Sequence, residues 1–270
     1  MATTLAGALR DSGLDAVDAR ALLRHVIGCE EAWLISHPDR QLSAKEQEAY
    51  ATLRARRAAG EPVAYLTGSR EFFSLAFKVT PAVLIPRPET ELLVETVLDR
   101  IPADAPWRVL DLATGSGCVA IAIARQRPRA QVTATDVSPA ALAVARENAA
   151  RHGVNIEFVE SDWFAALSGR RFDLIVANPP YVAEGDPHLD EGDLRFEPRN
   201  ALVAGSAGLD GIEVIVEQSP RHLAAGGWLL FEHGHEQGAC SRVLLTAAGY
   251  DDIATFRDLA DIERVSGGRV

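Results

Sequence analysis

The apolar run Leu174, Ile175, Val176 and Ala177 stops on Asn178, Pro179, Pro180 and Tyr181. Proline fixes its own φ, lacks an N–H and pushes the preceding residue out of the helical region, so this corner is stiff. It is also rich in acceptors and poor in donors. The Asn178 side-chain oxygen and the Pro179 carbonyl add acceptors, and Tyr181 adds a flat apolar face. That combination suits a planar amide nitrogen as the reacting atom. Its lone pair is delocalised by the kind of resonance that gives a peptide bond a rotational barrier of about 18–20 kcal/mol. Acceptors that take both N–H groups and favour a pyramidal nitrogen return electron density to it, and only contacts that strengthen in the transition state raise the rate. A strand followed by an inert turn explains the rigidity but not the excess of acceptors.

A second cluster lies upstream, in VLDLATGSGCVAIAIA. Asp111 ends a strand, Gly115 and Gly117 permit a tight turn, and the next helix points its N-terminal N–H groups at whatever lies above. Gly115 to Ala120 fits G-x-G-x-x-A, and Asp136 ends the following strand 21 residues after Gly115, a spacing that suits a carboxylate on ribose hydroxyls. Nicotinamide-dependent oxidoreductases and methyltransferases using S-adenosylmethionine share these signals, and the glycine loop does not separate them. Later residues do. Ser161-Asp162-Trp163 stands after the third strand, where the edge of an adenine needs a partner, and the fourth strand ends in the Asn178 corner rather than in a hydride-transfer pocket.

These groups need a scaffold. From Pro86 onward strands are expected at 107–112, 131–135, 156–160, 172–177 and 227–232, alternating with helices that include Ser138-Pro139 as N-cap and first position and Gly153 as terminator. Pro88 opens a further helix. Repeated βα units imply a parallel sheet covered on both faces, and 251–257 with 262–269, lacking a helix between them, imply an antiparallel hairpin at its edge. The first 60 residues are helical in pattern: Asp15 to Gly28 has an N-cap and a C-cap, and Ser43 with Glu46 has capping-box spacing before a helix to Gly60. Between them, REFFSLAFKVTPAVLI is aromatic and β-branched, reading as a hairpin with a turn at Ser74-Leu75.

The chain of 270 residues is long enough for a large domain with a smaller companion. Residues 1–85 hold 10 basic and 10 acidic side chains and residues 86–270 hold 17 and 28, so the net charge of −11 lies wholly in the second part. Such a surface repels a polyphosphate. Cys29, Cys118 and Cys240 form no C-x-x-C pair and read as reduced thiols. No apolar run approaches the ~20 residues of a membrane helix, and the acidic residue in MATTLAGALRDSG is foreign to a signal peptide. A cytoplasmic protein without a metal site or a membrane is expected.

The segments DLATGSG, Asp136, SDWF, NPPY, RFEPRNAL and FEHGHEQG occur in the order found in the HemK/PrmC family of peptide chain release factor glutamine N5-methyltransferases, which the chain resembles over nearly its whole length. The resemblance implies a doubly wound, seven-stranded, Rossmann-like methyltransferase sheet with an antiparallel last strand. It implies three parts: a helical substrate-recognition domain at 1–69, a β-hairpin linker at 70–85 and a catalytic domain at 86–270. The implied reaction methylates the glutamine of the release factor GGQ tripeptide from S-adenosylmethionine, leaving S-adenosylhomocysteine, in a monomer that does not bind nucleic acid directly. Carried over by position, Gly115, Ser116 and Gly117 hold the methionine part, Asp136 the ribose, and Asp162 with Trp163 the adenine; Asp111, Ala113, Thr114 and Asn178 complete the cofactor site. Asn178, Pro179, Pro180 and Tyr181 hold the target amide as the catalytic residues. Ala113 stands where many members have glycine.

An NPPY corner also marks enzymes that methylate exocyclic amines of adenine or cytosine, for which an acidic catalytic part is poorly suited. A catalytically idle binding protein on the same fold is the other alternative. Arg87, Pro88, Glu89 and Thr90 fall at the mouth of the implied site and are candidates for contact with cofactor or substrate. His233 and His235 lack a third ligand and read as structural or site-shaping. Cys118, near a helix N-terminus, reads as small-residue packing under the glycine loop rather than a reactive thiol. The acidic stretch from Glu184 to Glu197 reads as solvated, or as a contact for a protein substrate.

Overall fold

The computed structural model describes residues 3–270, which divide into two compact units: residues up to Ser69 together with Asp190–Phe196, and Arg70–Leu189 together with Glu197–Val270. In the helical unit, α1 (Leu5–Arg10), α2 (Ala16–Ile27), α3 (Glu31–Ser36), α4 (Ala44–Ala58) and α5 (Val63–Thr67) enclose Leu5, Leu22, Leu23, Leu34, Tyr50 and Leu66. Their ends follow from local chemistry. The Asp15 carboxylate accepts the Val17 N–H, Gly28 closes α2 in the left-handed conformation, and Ser43 and Glu46 form a reciprocal capping box on α4. The Asp190–Phe196 segment is tied to α4 through Asp193, which takes a 2.8 Å bond from Arg57, and Arg195, which donates to the Ala59 carbonyl at 2.5 Å.

The sheet unit begins with a hairpin, β1 (Ser69–Phe72) and β2 (Leu75–Lys78). Its turn falls on Phe73 and Ser74, both at positive φ, one residue earlier than the sequence suggested. A two-residue turn with both central residues at positive φ normally calls for Asn-Gly, so a Phe-Ser turn carries almost no sequence signal. The hairpin packs into the sheet unit. Phe72 and Phe77 enter the same core as Leu93, Val97 and Ile121, and the buried Asn148 pairs its amide with both backbone groups of Lys78 while donating to the Ser116 carbonyl at 2.9 Å.

A 3-10 turn at Pro88–Thr90 leads into α6 (Glu91–Leu98), followed by β3 (Arg108–Leu112), α7 (Cys118–Gln126), β4 (Gln131–Asp136), α8 (Pro139–His152), β5 (Glu157–Glu160), β6 (Phe172–Ala177), α9 (Asp210–Gln218), β7 (Leu223–Glu232), α10 (Gly238–Ala247), β8 (Asp251–Arg257) and β9 (Glu263–Arg269). The seven strands lie in the order β5-β4-β3-β6-β7-β9-β8, with β9 antiparallel to both neighbours. Alternation along the central strands builds two cores: Val109, Leu174 and Val176 face α6 and α7, while Leu110, Leu112 and Ile175 face α9 and α10. Leu112 at the end of β3 lies opposite Thr135 on one side and Ala177 on the other. The connections leave β3 in opposite directions, opening a crevice beyond its carboxyl end.

Within the acidic stretch Glu184, Asp190 and Glu191 are exposed, but Glu197 departs from the solvated reading. Its carboxylate is buried, accepts the Ile85 N–H at 2.9 Å and pairs with Arg87. It fastens the strap at 85–87 to the sheet unit. Replacing Glu197 with alanine strips a buried N–H and a guanidinium of their partner, and the expected loss in urea denaturation is about 2 kcal/mol, the worth of a charge-assisted hydrogen bond. Glu197→Gln retains an acceptor for Ile85 and should lose less.

Candidate active site

The crevice is built first by backbone conformation. Ala113, Gly115 and Gly117 all have positive φ, at 56°, 55° and 81°. A Cβ at Gly115 would meet nothing, so φ alone favours glycine there; at Gly117 it would come within 3.1 Å of both Ala145 and Ile121. Ala113 carries the left-handed conformation with a side chain. The loop is held from beneath by Asp111, which is buried and accepts the Thr114 hydroxyl at 2.5 Å and the Ala120 N–H at 3.2 Å. Burial raises its pKa to about 7. Cys118 is buried at the start of α7, and burial pushes its thiol up to about 12, the reverse of what a reactive thiol needs.

Asp136 reaches across from β4. One carboxylate oxygen accepts the Gly115 N–H and the other the Ser138 N–H, both at 2.9 Å, so the glycine loop and the N-terminus of α8 fix its orientation. Burial raises its pKa against the opposing pull of these N–H donors. Trp163 has a φ of 46°, and Ser161 braces that turn by donating to the Trp163 carbonyl at 2.8 Å while accepting the Ala166 N–H. A Cβ on Gly211 would sit 3.2 Å from the Trp163 ring and 3.3 Å from Pro179, so the bare backbone at the start of α9 lets the two converge.

At the Asn178 corner, Asn178 Nδ2 donates to Thr90 Oγ1 at 3.1 Å, whereas Asn178 Oδ1 is buried and has no hydrogen-bond partner. The Tyr181 hydroxyl donates to Glu232 Oε1 at 3.1 Å, and its carbonyl accepts from Gln237 at 3.0 Å. Glu232 is buried on β7 beside this corner. Burial raises its pKa to about 7, opposed by the hydrogen bond from Tyr181 and by Arg264. His233 is wholly buried with Nε2 2.9 Å from the Ser266 hydroxyl, and burial lowers its pKa; among the described residues no group of side chains could hold a metal ion.

One cavity gathers most of the candidate residues. From the glycine loop it takes Asp111, Ala113, Thr114, Gly115 and Ser116; from the ribose and adenine positions, Asp136, Asp162 and Trp163; from the remaining motifs, Asn178, Pro180, Arg87 and Thr90. Gly117, Pro179, Tyr181, Pro88 and Glu89 do not line it. Pro198, Asn200 and Ala201 join the wall without having been anticipated, since no local pattern connects RFEPRNAL to the ends of β3 and β6. Three aspartates face a single arginine, and that arginine is already paired with Glu197. A pyrophosphate would be repelled here, and a cationic sulfonium would not be. The donor set therefore fits S-adenosylmethionine better than a dinucleotide.

Comparison with known proteins agrees. Residues 3–68 match the PrmC N-terminal domain and residues 88–192 the methyltransferase small domain. The chain is 55% identical to the release factor glutamine methyltransferase of Burkholderia pseudomallei, covering 99% of this chain and 96% of that protein. It is 48% identical to the release factor glutamine methyltransferase of Escherichia coli, covering 93% and 91%. Among solved structures it superposes on the 16S rRNA N2 G1207 methyltransferase of T. thermophilus in complex with AdoMet and guanosine, with a TM-score of 0.57 and 21% identity over 74% of this chain and 49% of that one. At that identity the likeness is one of fold.

Two outcomes are expected from the loop and the buried acids. Ala113→Gly removes the left-handed penalty of roughly 1–2 kcal/mol on a residue with a Cβ but gives back some unfolded-state entropy. Its melting temperature should equal or exceed that of the parent, and Ala113→Val should melt lower; a clear drop in the glycine variant would contradict the assigned backbone. Glu232 holds its proton to about pH 7 in the fold, well above an ordinary carboxyl. Its contribution is therefore complete below the unfolded pKa and is lost as pH rises through 7. Melting curves should show Glu232→Gln gaining on the parent between pH 5 and pH 8.

Proposed function

The chain belongs to the release factor glutamine methyltransferase family, and from that premise we propose that it methylates the side-chain amide nitrogen (N5) of the glutamine in the GGQ motif of peptide chain release factors, tuning translation termination. The observation that carries this reading is the buried, unpartnered Oδ1 of Asn178 in the cavity wall. A buried acceptor without a partner costs about 1–3 kcal/mol. An amide N–H of the target removes that deficit.

S-Adenosylmethionine, when bound, supplies an electrophilic methyl group and leaves as S-adenosylhomocysteine. On the protein side, Gly115 and Ser116 would face the methionine part, Asp136 the ribose hydroxyls, and Asp162 with Trp163 the adenine. Asn178 Oδ1, with the Pro179 carbonyl, would accept the N–H groups of the target amide, drawing its nitrogen toward the pyramidal geometry in which the lone pair is available. The diproline keeps those acceptors from relaxing away as charge develops. Tyr181, held at its hydroxyl by Glu232, would bound the place of the amide. The helical unit would grip the release factor away from the GGQ loop, because one glutamine side chain offers little surface for selectivity. The acidic sheet unit disfavours the alternative of an exocyclic amine in nucleic acid. We place the enzyme in the cytoplasm as a monomer.

Mass spectrometry of a release factor incubated with the protein and S-adenosylmethionine should show one methyl group on the GGQ glutamine. Asn178→Ala should lower turnover on the order of 10²–10³-fold, as loss of one oriented transition-state hydrogen bond does, with the affinity for S-adenosylhomocysteine changed by no more than a few fold. Near-normal turnover in that variant would overturn the assignment.

A further inference from the structure

The span that carries the acceptor corner is poorly equipped to fasten itself. Pro179 and Pro180 have no N–H, so between Ala177 and Val182 the chain must be held at its two ends. Sheet register holds the near end, where Ala177 pairs with Phe231. At the far end Val182 donates to the Leu202 carbonyl at 2.8 Å and accepts the Ala204 N–H at 3.0 Å. Tyr181, the last residue of the corner itself, has its carbonyl held by Gln237.

Gln237 is placed for that contact rather than for a local one. It is the N-cap residue of α10, where Ser, Thr, Asp or Asn would cap with a side-chain oxygen, yet its side chain makes no capping bond. Instead Nε2 faces three backbone carbonyls, those of Tyr181 at 3.0 Å, Gly208 at 3.1 Å and Ala207 at 3.4 Å, while Oε1 accepts the Gly234 N–H at 2.8 Å. A backbone N–H only donates and a carbonyl only accepts, so the amide has one orientation; inverted, it would set like against like at each of these contacts. One side chain thus joins the exit of β7, the loop before α9 and the corner. The loop is shaped to come this close. Gly208 has a φ of 69°, and a Cβ there would fall 2.3 Å from the Tyr181 carbonyl oxygen; one on Gly211 would fall 3.3 Å from the Pro179 ring.

We infer that Gln237 is a positioning residue for methyl transfer: by binding the Tyr181 carbonyl and the Ala207-Gly208 turn through one amide, it fixes the far end of the diproline span and with it the direction of the Pro179 carbonyl. The inference rests on the reading of the Asn178 corner as the holder of the target amide. Gln237 does not line the cavity, so a corner loosened at this end still admits the cofactor. Its acceptors then point over a range of directions, and misplacement by about 1 Å can cost on the order of 100-fold in rate. The inference gives a task to two segments, Ala204–Gly211 and Glu232–Gly238, whose motifs leave their roles open.

The test compares Gln237→Met, Gln237→Glu and Gly208→Ala by kcat and KM for methylation of full-length release factor, by the Kd of S-adenosylhomocysteine and by melting temperature. Methionine keeps the length and removes both polar ends, so kcat should fall about tenfold or more, while KM and the Kd should stay within about threefold. Glutamate, assayed at about pH 8 where a carboxyl is ionised, keeps an acceptor for Gly234 and loses the donors, so it should lose as much as methionine. Gly208→Ala crowds the same Tyr181 carbonyl and should lower kcat in the same way. Combined with Gln237→Met it should cost less than the product of the two losses, because both undo one fastening. Leu245→Ala, at a buried core position elsewhere on α10, is the destabilised control and should keep its kcat when assayed well below its melting temperature. If methionine prevents folding, the glutamate and Gly208 variants decide. Parental kcat in the glutamate variant, losses that multiply in the double variant, a Kd that weakens in step with kcat, or an equal loss in the Leu245 control would each overturn the positioning role. Full activity in Asn178→Ala alone would instead overturn the function on which it rests.

Discussion

Parallel pairing of β3 on both of its sides is the constraint on which the site depends. Leu112 lies opposite Thr135 and Ala177 in register, so the residues that follow these three strand ends must emerge together. They are the glycine loop, Asp136 and the Asn178 corner. A one-residue slip of β6 against β3 would exchange the two faces of β6, driving Ile175 and Ala177 toward α7 and moving the acceptor corner out of reach. Hydrophobic burial on both faces forbids that slip. The placement of the chemistry is thus enforced by packing that has no chemical role.

What packing cannot set is the orientation of individual polar groups, and the fold uses buried polar side chains for that. Asp111 ties the glycine loop to the first turn of α7, Asn148 ties the same loop to the hairpin, and Glu197 ties the strap at 85–87 to the sheet unit. Each is costly to bury and worthwhile only because its partners are satisfied. Asp111 and Glu232 show the cost directly, since burial moves both acids toward neutrality. Removing any one of them leaves a loop free to choose among conformations that the apolar core does not distinguish.

The parts of this architecture that were legible from the sequence are the local ones. Asp15 and Gly28, Ser43 and Glu46, and Ser138, Pro139 and Gly153 mark helix ends because capping acts over three or four residues. The central strands β6 and β7 were legible because burial on both faces needs apolar runs. The Phe73-Ser74 turn was not, because tertiary packing of Phe72 and Phe77 overrides turn preference there. The short helices α1, α3 and α5 carry too few residues for a periodic signal. In the site, the glycine loop, Asp136 and Asn178 could be read from spacing, whereas Glu197, Glu232 and Gly211 act on residues tens of positions away. Charge in a sequence suggests solvent, and Glu197 shows how a single distant arginine reverses that.

The unsatisfied acceptor at Asn178 links stability to specificity. A fold selected only for stability would pair Oδ1 or replace the side chain, since an unpaired buried acceptor is a standing penalty. Retaining it makes the cavity discriminate between ligands by what they donate. A side chain that brings an N–H to Oδ1 recovers the penalty, while one of the same shape without a donor does not, and buried polar groups left unpaired are the strongest basis a site has for rejecting a near isostere. Glutamate differs from glutamine by just that exchange, and its carboxylate would also meet a cavity already lined by Asp111, Asp136 and Asp162. The same acidic wall that suits a cationic cofactor therefore favours an amide over an acid, and one arrangement of charge serves both selections.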